Sequence, residues 1–162
     1  MNTTLATSIT ADPMVPAIRI IREFDAPPAA VYRAHVDPEL VVRWLGPRRL
    51  TMTIQRWDAQ TGGGYRYTHV GEDRTEHHFF GSFHELREGE RIVQTFTYEG
   101  FPDAVAIETM TFVELPGGRT RLEAFSLGES FEVRDAMLES GMEEGVVQGY
   151  ERLDEVLAGS TA

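Results

Sequence analysis

The sequence contains no cysteine, which excludes a disulfide framework, a thiolate nucleophile and every cysteine-based zinc or iron–sulfur site. That absence also suits a reducing cytosol. Lysine is missing too, so all 15 of its Lys-plus-Arg positions are arginine; no functional conclusion rests on this usage. No apolar run approaches the roughly 20 residues needed to cross a bilayer. The start, MNTTLATSITADPMVPA, has neither a basic cluster nor a sustained apolar stretch, so a secretory signal is not expected. Positive charge is outweighed: 26 Asp and Glu leave a formal net charge of −11. Such a surface repels phosphate backbones and anionic lipids, so neither nucleic acid nor a membrane is an expected partner. The expected location is cytoplasmic.

What is present fits one domain. A chain of 162 residues buries roughly 68–70% of its unfolded surface, enough for a core without staples. The expected organisation is a flexible tail over residues 1–15, one domain over 16–158 and a short tail over 159–162. No internal repeat or low-complexity tract interrupts it.

Ala17–Asp25 reads as a strand, with Ile18, Ile20 and Phe24 at period-two spacing. Pro28–His35 reads as a short helix with proline in its first turn. Asp37-Pro38-Glu39 starts a second, with Asp37 as N-cap. Six strand-like segments follow between Thr51 and Leu127, separated by short Gly- and Pro-containing connections that argue for an antiparallel meander. From Phe131 to Leu157 the pattern is helical, roughly 40 Å long. Its inward stripe is Leu138, Met142, Gly145, Gly149, Leu153 and Val156, with acidic residues opposite. The order β-α-α-β6-α is therefore expected, an α+β arrangement in which a curved antiparallel sheet wraps one long C-terminal helix.

Several sequence pieces share a known pattern. They are Arg22-Glu23-Phe24-Asp25-Ala26-Pro27 with Val31, Trp44-Leu45-Gly46-Pro47, Gly62-Gly63-Gly64-Tyr65-Arg66, Gly81, Ser140-Gly141-Met142-Glu143-Glu144-Gly145 and Glu151-Arg152-Leu153. In that order they resemble the SRPBCC (START-like) superfamily, in particular the AHSA-type subfamily named for the activator of the ninety-kilodalton heat-shock protein ATPase. The resemblance covers residues 17 to 157. It implies a helix-grip fold and a cavity between sheet and helix, and leaves the activity open, since the superfamily includes carriers, binders and cyclases.

Cavity-wall candidates are Tyr65, Tyr67, His69, Phe96, Tyr98, Met110 and Phe112 from the strands, with Trp44 at the mouth or as a plug. Met142, Gly145 and Gly149 are the candidates from the helix. The two helical glycines either leave volume for a ligand or let the sheet or its aromatics approach the helix closely. His69 and His77 would face each other if a hairpin centres on Asp73, whereas His77 and His78 point to opposite faces. Neither a metal nor a cofactor is expected. No nucleophile elbow, zinc-protease helix, phosphate loop or dinucleotide fingerprint is present, and no catalytic residue is assigned. Arg22, His69, His78 and Glu108 are the polar residues that a cavity could recruit.

Three functions compete. The first is binding of a small hydrophobic or amphipathic ligand. The second, implied by the resemblance, is co-chaperone activation of a heat-shock ATPase in a stress response. The eukaryotic activators carry an additional N-terminal domain, and only about 15 residues precede the matched segment here. The third is a cyclase or hydrolase acting on an aromatic or polyketide-like substrate. A homodimer is left open by the exposed edges of an antiparallel sheet.

Overall fold

The computed structural model describes residues 6–159. Alternation sets the first long strand. In β2 (Ala17–Phe24) Ile18, Ile20, Arg22 and Phe24 point inward, while Arg19 and Ile21 point out. Pro28 then opens α1 (Pro28–Val36), where its missing N–H costs nothing. The side chain of Asp37 accepts from the backbone N–H of Glu39 at 2.9 Å and caps α2 (Pro38–Val41). β3 (Thr51–Trp57), β4 (Gly64–Val70), β5 (Glu76–Arg87), β6 (Arg91–Tyr98), β7 (Ala106–Leu115) and β8 (Arg119–Leu127) follow as the expected meander.

One departure lies before β2. Ser8–Ala11, expected within a flexible tail, form an edge strand, β1, paired with β2 from Ser8↔Ile21 to Ala11↔Ile18. The Asp12 carboxylate accepts from the N–H groups of Met14 and Val15 and holds the connection. The Arg134 guanidinium donates to the carbonyls of Asp12 and Ala17. Of the expected tails, residues 1–5 and 160–162 lie outside the described residues, and Gly159 ends a helix.

All neighbouring strands are antiparallel, in the order β1-β2-β8-β7-β6-β5-β4-β3. The expected single C-terminal helix is in fact two, α3 (Phe131–Glu139) and α4 (Met142–Gly159). Ser130 caps α3 by accepting from the N–H of Val133. The break falls at Gly141, whose φ of +87° is the left-handed conformation that ends helices and favours glycine. The fold class is nevertheless the expected one, an α+β helix-grip fold with the sheet curved around the C-terminal helix.

Two apolar clusters fill the concave side. The larger joins β2, β7 and β8 to α1 and α4 through Ile18, Phe24, Val31, Phe112, Leu122 and Leu153. The smaller is aromatic and sits on β4 and β5, built from Tyr65, Tyr67 and Phe83. Among the described residues no helix is long and apolar enough to cross a membrane.

Candidate ligand cavity

Between these clusters the helices and sheet leave a cavity of about 320 Å³. Its aromatic wall is a run of stacked rings on adjacent strands. Tyr65 stacks on Tyr67 (6.0 Å between centroids), Tyr67 on Phe79 (5.1 Å), and Phe79 on Phe96 (5.5 Å). Each such contact contributes about 0.5–1.5 kcal/mol beyond buried area and stiffens the wall. Met110 and Ala124 continue the floor towards β2, and Met137, Met142, Val146 and Tyr150 form the roof.

The connection after α2 closes one side. Trp44 donates its indole N–H to the carbonyl of Ala34 at 2.8 Å and stacks on Tyr150. It is thus both a cavity wall and a buried plug. Gly46 has φ +98°, and a Cβ there would meet the His69 ring at 2.7 Å. His69 in turn donates Nε2–H to the carbonyl of Leu45 at 3.2 Å, since a carbonyl can only accept. From the helix side, Arg152 donates to the carbonyls of Gly46 and Pro47, and Gln148 accepts from the N–H of Arg48.

The glycines of α4 resolve against this connection. A Cβ on Gly149 would lie 3.3 Å from Gly46 N and Trp44 O, and one on Gly145 would lie 3.4 Å from Pro47 Cδ. Both line the cavity, but what approaches them is the Trp44–Pro47 backbone rather than the sheet.

Three polar groups of the cavity form a row across the strands. Gln94 is opposite Glu108 on β6 and β7, and Glu108 is opposite Ser126 on β7 and β8. Gln94 donates to Glu108 Oε1 at 3.0 Å. Burial pushes the Glu108 carboxyl above its ordinary value, against the opposing influence of Gln94 and Ser126. Ser126 Oγ is fully enclosed and lacks a partner in good hydrogen-bond geometry. Burial, reinforced by the Glu108 charge, raises the Tyr65, Tyr67 and Tyr150 phenols. The Tyr65 hydroxyl donates to the carbonyl of Thr95 at 2.7 Å. Those of Tyr67 and Tyr150 make no hydrogen bond to any described residue.

Two histidines border the cavity in neutral form. Desolvation holds His35 down at about 4, although its bond to the Val31 carbonyl opposes this. With Nδ1–H donating to Val31, the His35 Nε2 lone pair is left buried and unpartnered. Desolvation likewise holds His69 at about 4, with the charges of His77 and Arg152 adding to it and its Leu45 bond opposing.

Of the residues expected from sequence, Trp44, Tyr65, Tyr67, His69, Phe96, Met110, Met142, Gly145 and Gly149 line this space. Tyr98 and Phe112 do not, and both are corrected here. They lie on the inward face but beyond the ends of the void. Tyr98 packs on Phe79 and its hydroxyl meets His77 Nδ1 at 3.0 Å, while Phe112 is filled over by Tyr32 and His35 of α1. Glu108 lines the cavity, whereas Arg22 is paired with Asp154 and His78 bonds Thr68 Oγ1. His69 and His77 do face each other in register. Among the described residues, no three His, Asp or Glu side chains gather at metal-binding spacing. The two hydroxyl–imidazole pairs, Thr68–His78 and His77–Tyr98, do not border the cavity. Sequence reasoning missed His35, Gln94, Ser126 and Tyr150 as wall residues.

A helix-grip fold around an interior cavity defines the class. The chain matches the family model described as activator of Hsp90 ATPase homolog 1-like protein over residues 25–158, and it belongs to that family. It is similar to a solved protein from Chromobacterium violaceum at 30% identity, covering 88% of this chain and 96% of that one with a TM-score of 0.78. A protein from Arthrobacter aurescens is 28% identical over 94% of this chain and 91% of its own, with a TM-score of 0.85. An AHSA1-like protein from Aeromonas hydrophila, 20% identical over 85% of this chain and 92% of its own, shares the fold at a TM-score of 0.65. No curated protein matches the chain.

Proposed function

We propose that this protein binds a small, mostly apolar molecule in the space between the sheet and α4. The observation that carries the reading is the cavity itself, about 320 Å³ walled by stacked aromatics and methionines. That volume falls at the lower end of the roughly 300–1,000 Å³ typical of small-molecule sites. Close packing is the rule in protein interiors, and leaving such a space empty forgoes dispersion contacts that a ligand would restore. A few polar groups among apolar walls, here Gln94, Glu108, Tyr67 and Tyr150, match the pattern by which such sites orient a guest.

Native mass spectrometry of the protein purified from its own host, beside a denatured sample, tests this. The expected result is an extra mass lost on denaturation and absent from Ala124→Phe, whose ring fills the floor. A clean mass for both proteins would overturn the reading.

The family description supports a second reading, activation of a heat-shock ATPase. Its test is ATP turnover by that chaperone with and without the purified protein. A rise that persists in Ala124→Phe would favour it over the cavity.

A further inference from the structure

Glu108 is the feature of the cavity that an apolar guest alone does not explain. The residue is half-buried and lines the void, and desolvation raises its carboxyl above the ordinary value. Oε1 is held by Gln94, and none of the ion pairs among the described residues includes Glu108. Two arginines of this region are already engaged: the buried Arg22 with Asp154, and the half-buried Arg152 with the carbonyls of Gly46 and Pro47. Buried carboxylates are ordinarily paired, because an isolated one loses its hydration without compensation.

Around this carboxyl stand three tyrosines whose titration its charge perturbs, Tyr65, Tyr67 and Tyr150. Tyr67 is 6% exposed and Tyr150 8%. Both line the cavity, and neither hydroxyl has a hydrogen-bond partner among the described residues. Phenol oxygens accept hydrogen bonds, and the faces of tyrosine and tryptophan attract cations. An ammonium group carries three N–H donors and no acceptor, which matches one carboxylate oxygen and two unpartnered phenol oxygens. An anionic headgroup meets no cation on the cavity wall, since both bordering histidines are neutral and neither Arg22 nor Arg152 lines the void.

We infer that the cavity selects an amphipathic amine, its ammonium set against Glu108, Tyr67 and Tyr150 and its apolar body along the Tyr65–Tyr67–Phe79–Phe96 wall. The inference rests on the cavity being a ligand site and specifies the class of ligand. A formal net charge of −11 also favours the approach of cations over anions.

The test is titration calorimetry with phenylbutylamine and phenylbutanol, which share one body and differ in the headgroup. Wild type, Glu108→Gln and Ala124→Phe are compared. The wild type is expected to bind the amine about thirtyfold more tightly than the alcohol, as for a charge paired out of water. Glu108→Gln should bring that ratio close to one, and Ala124→Phe should bind neither. Equal binding of both probes by the wild type would overturn the inference while leaving the cavity reading in place. A preference for the amine that survives Glu108→Gln would do the same. Binding of neither probe by the wild type would remove both. The wild-type ratio decides the matter even if Glu108→Gln does not fold.

Discussion

Arg22 of β2 and Asp154 of α4 form a two-point ion pair, with Nη1 2.9 Å from Oδ1 and Nη2 2.6 Å from Oδ2. The partners are unequally placed: the arginine side chain is 2% exposed and the aspartate 37%. The guanidinium also lies over the Phe24 ring and donates to the carbonyl of Glu23. Its Nε is buried without a partner.

That asymmetry predicts unequal costs. Asp154→Ala leaves a charged guanidinium enclosed and should destabilise by about 3 kcal/mol. Arg22→Met keeps the packing over Phe24 and leaves a carboxylate that can turn to water, so the expected loss is about 1 kcal/mol. Urea unfolding of the two variants measures both. Equal losses would mean that burial of the arginine does not set the energetics.

Gly46 and His69 should be coupled. Alanine at 46 must adopt φ +98° and place its Cβ against the His69 ring, so Gly46→Ala should cost about 2 kcal/mol or more. Adding His69→Ala removes the ring but not the backbone strain. A double-mutant cycle should therefore show a favourable coupling of about 1 kcal/mol, with the remainder persisting. Strict additivity would show that the ring moves aside freely.

The two interior glycines of α4, Gly145 and Gly149, should respond differently to alanine. Gly145→Ala meets only the edge of Pro47 and should gain about 0.5–1 kcal/mol of helix propensity. Gly149→Ala presses on backbone atoms of Trp44 and Gly46, which Arg152 holds against the helix. It should gain nothing or lose stability. Thermal unfolding of both, side by side, checks the contrast.

The buried titratable groups set opposing slopes of stability with pH. The unfolded His35 takes up a proton below about 6.5, the native one only below about 4. The unfolded state therefore binds more protons between those values, and stability falls as pH drops through them, by roughly 3 kcal/mol from this residue. His69 adds to the same slope. Glu108, raised by burial, acts in reverse: its stabilising protonation is fully present below the ordinary carboxyl value of 4.5 and is lost as pH rises above it. Urea midpoints across pH 4.5–8 should show a shallower acid-side fall in His35→Gln. An unchanged slope would assign the fall to other groups.

Much of the architecture was legible because it rests on periodicity. The alternation of Ile18, Ile20 and Phe24, the Asp37 cap and the stripe from Gly145 to Val156 all survive in the structure. β1 was not, since Ser8–Ala11 bury no side chain fully and are held by backbone bonds that any sequence supplies. The break at Gly141 carried a signal, a Ser-Gly stop followed by the acidic first turn Glu143-Glu144, which the continuing apolar stripe masked. In the cavity, parity placed Phe96 and Met110 correctly but not the level along the strand, which depends on where α1 ends over the sheet. Phe112 was lost for that reason, and Tyr98 because it lies past the void, packed on Phe79 and bonded to His77. Gln94 shares the face of Phe96, and Tyr150 follows Val146 by four residues, so both were within reach of the same spacing argument.

The sheet order places β2 beside β8, although about a hundred residues separate them in sequence. During synthesis at about 5–20 residues per second, β2 therefore waits several seconds for its inner neighbour. Its fully buried residues Ile18, Arg22 and Phe24 are exposed meanwhile. Leu153, Val156 and Asp154 emerge later still. The interior of this protein cannot close from its beginning onward, and a ribosome stalled anywhere before β8 holds a sticky, half-paired sheet.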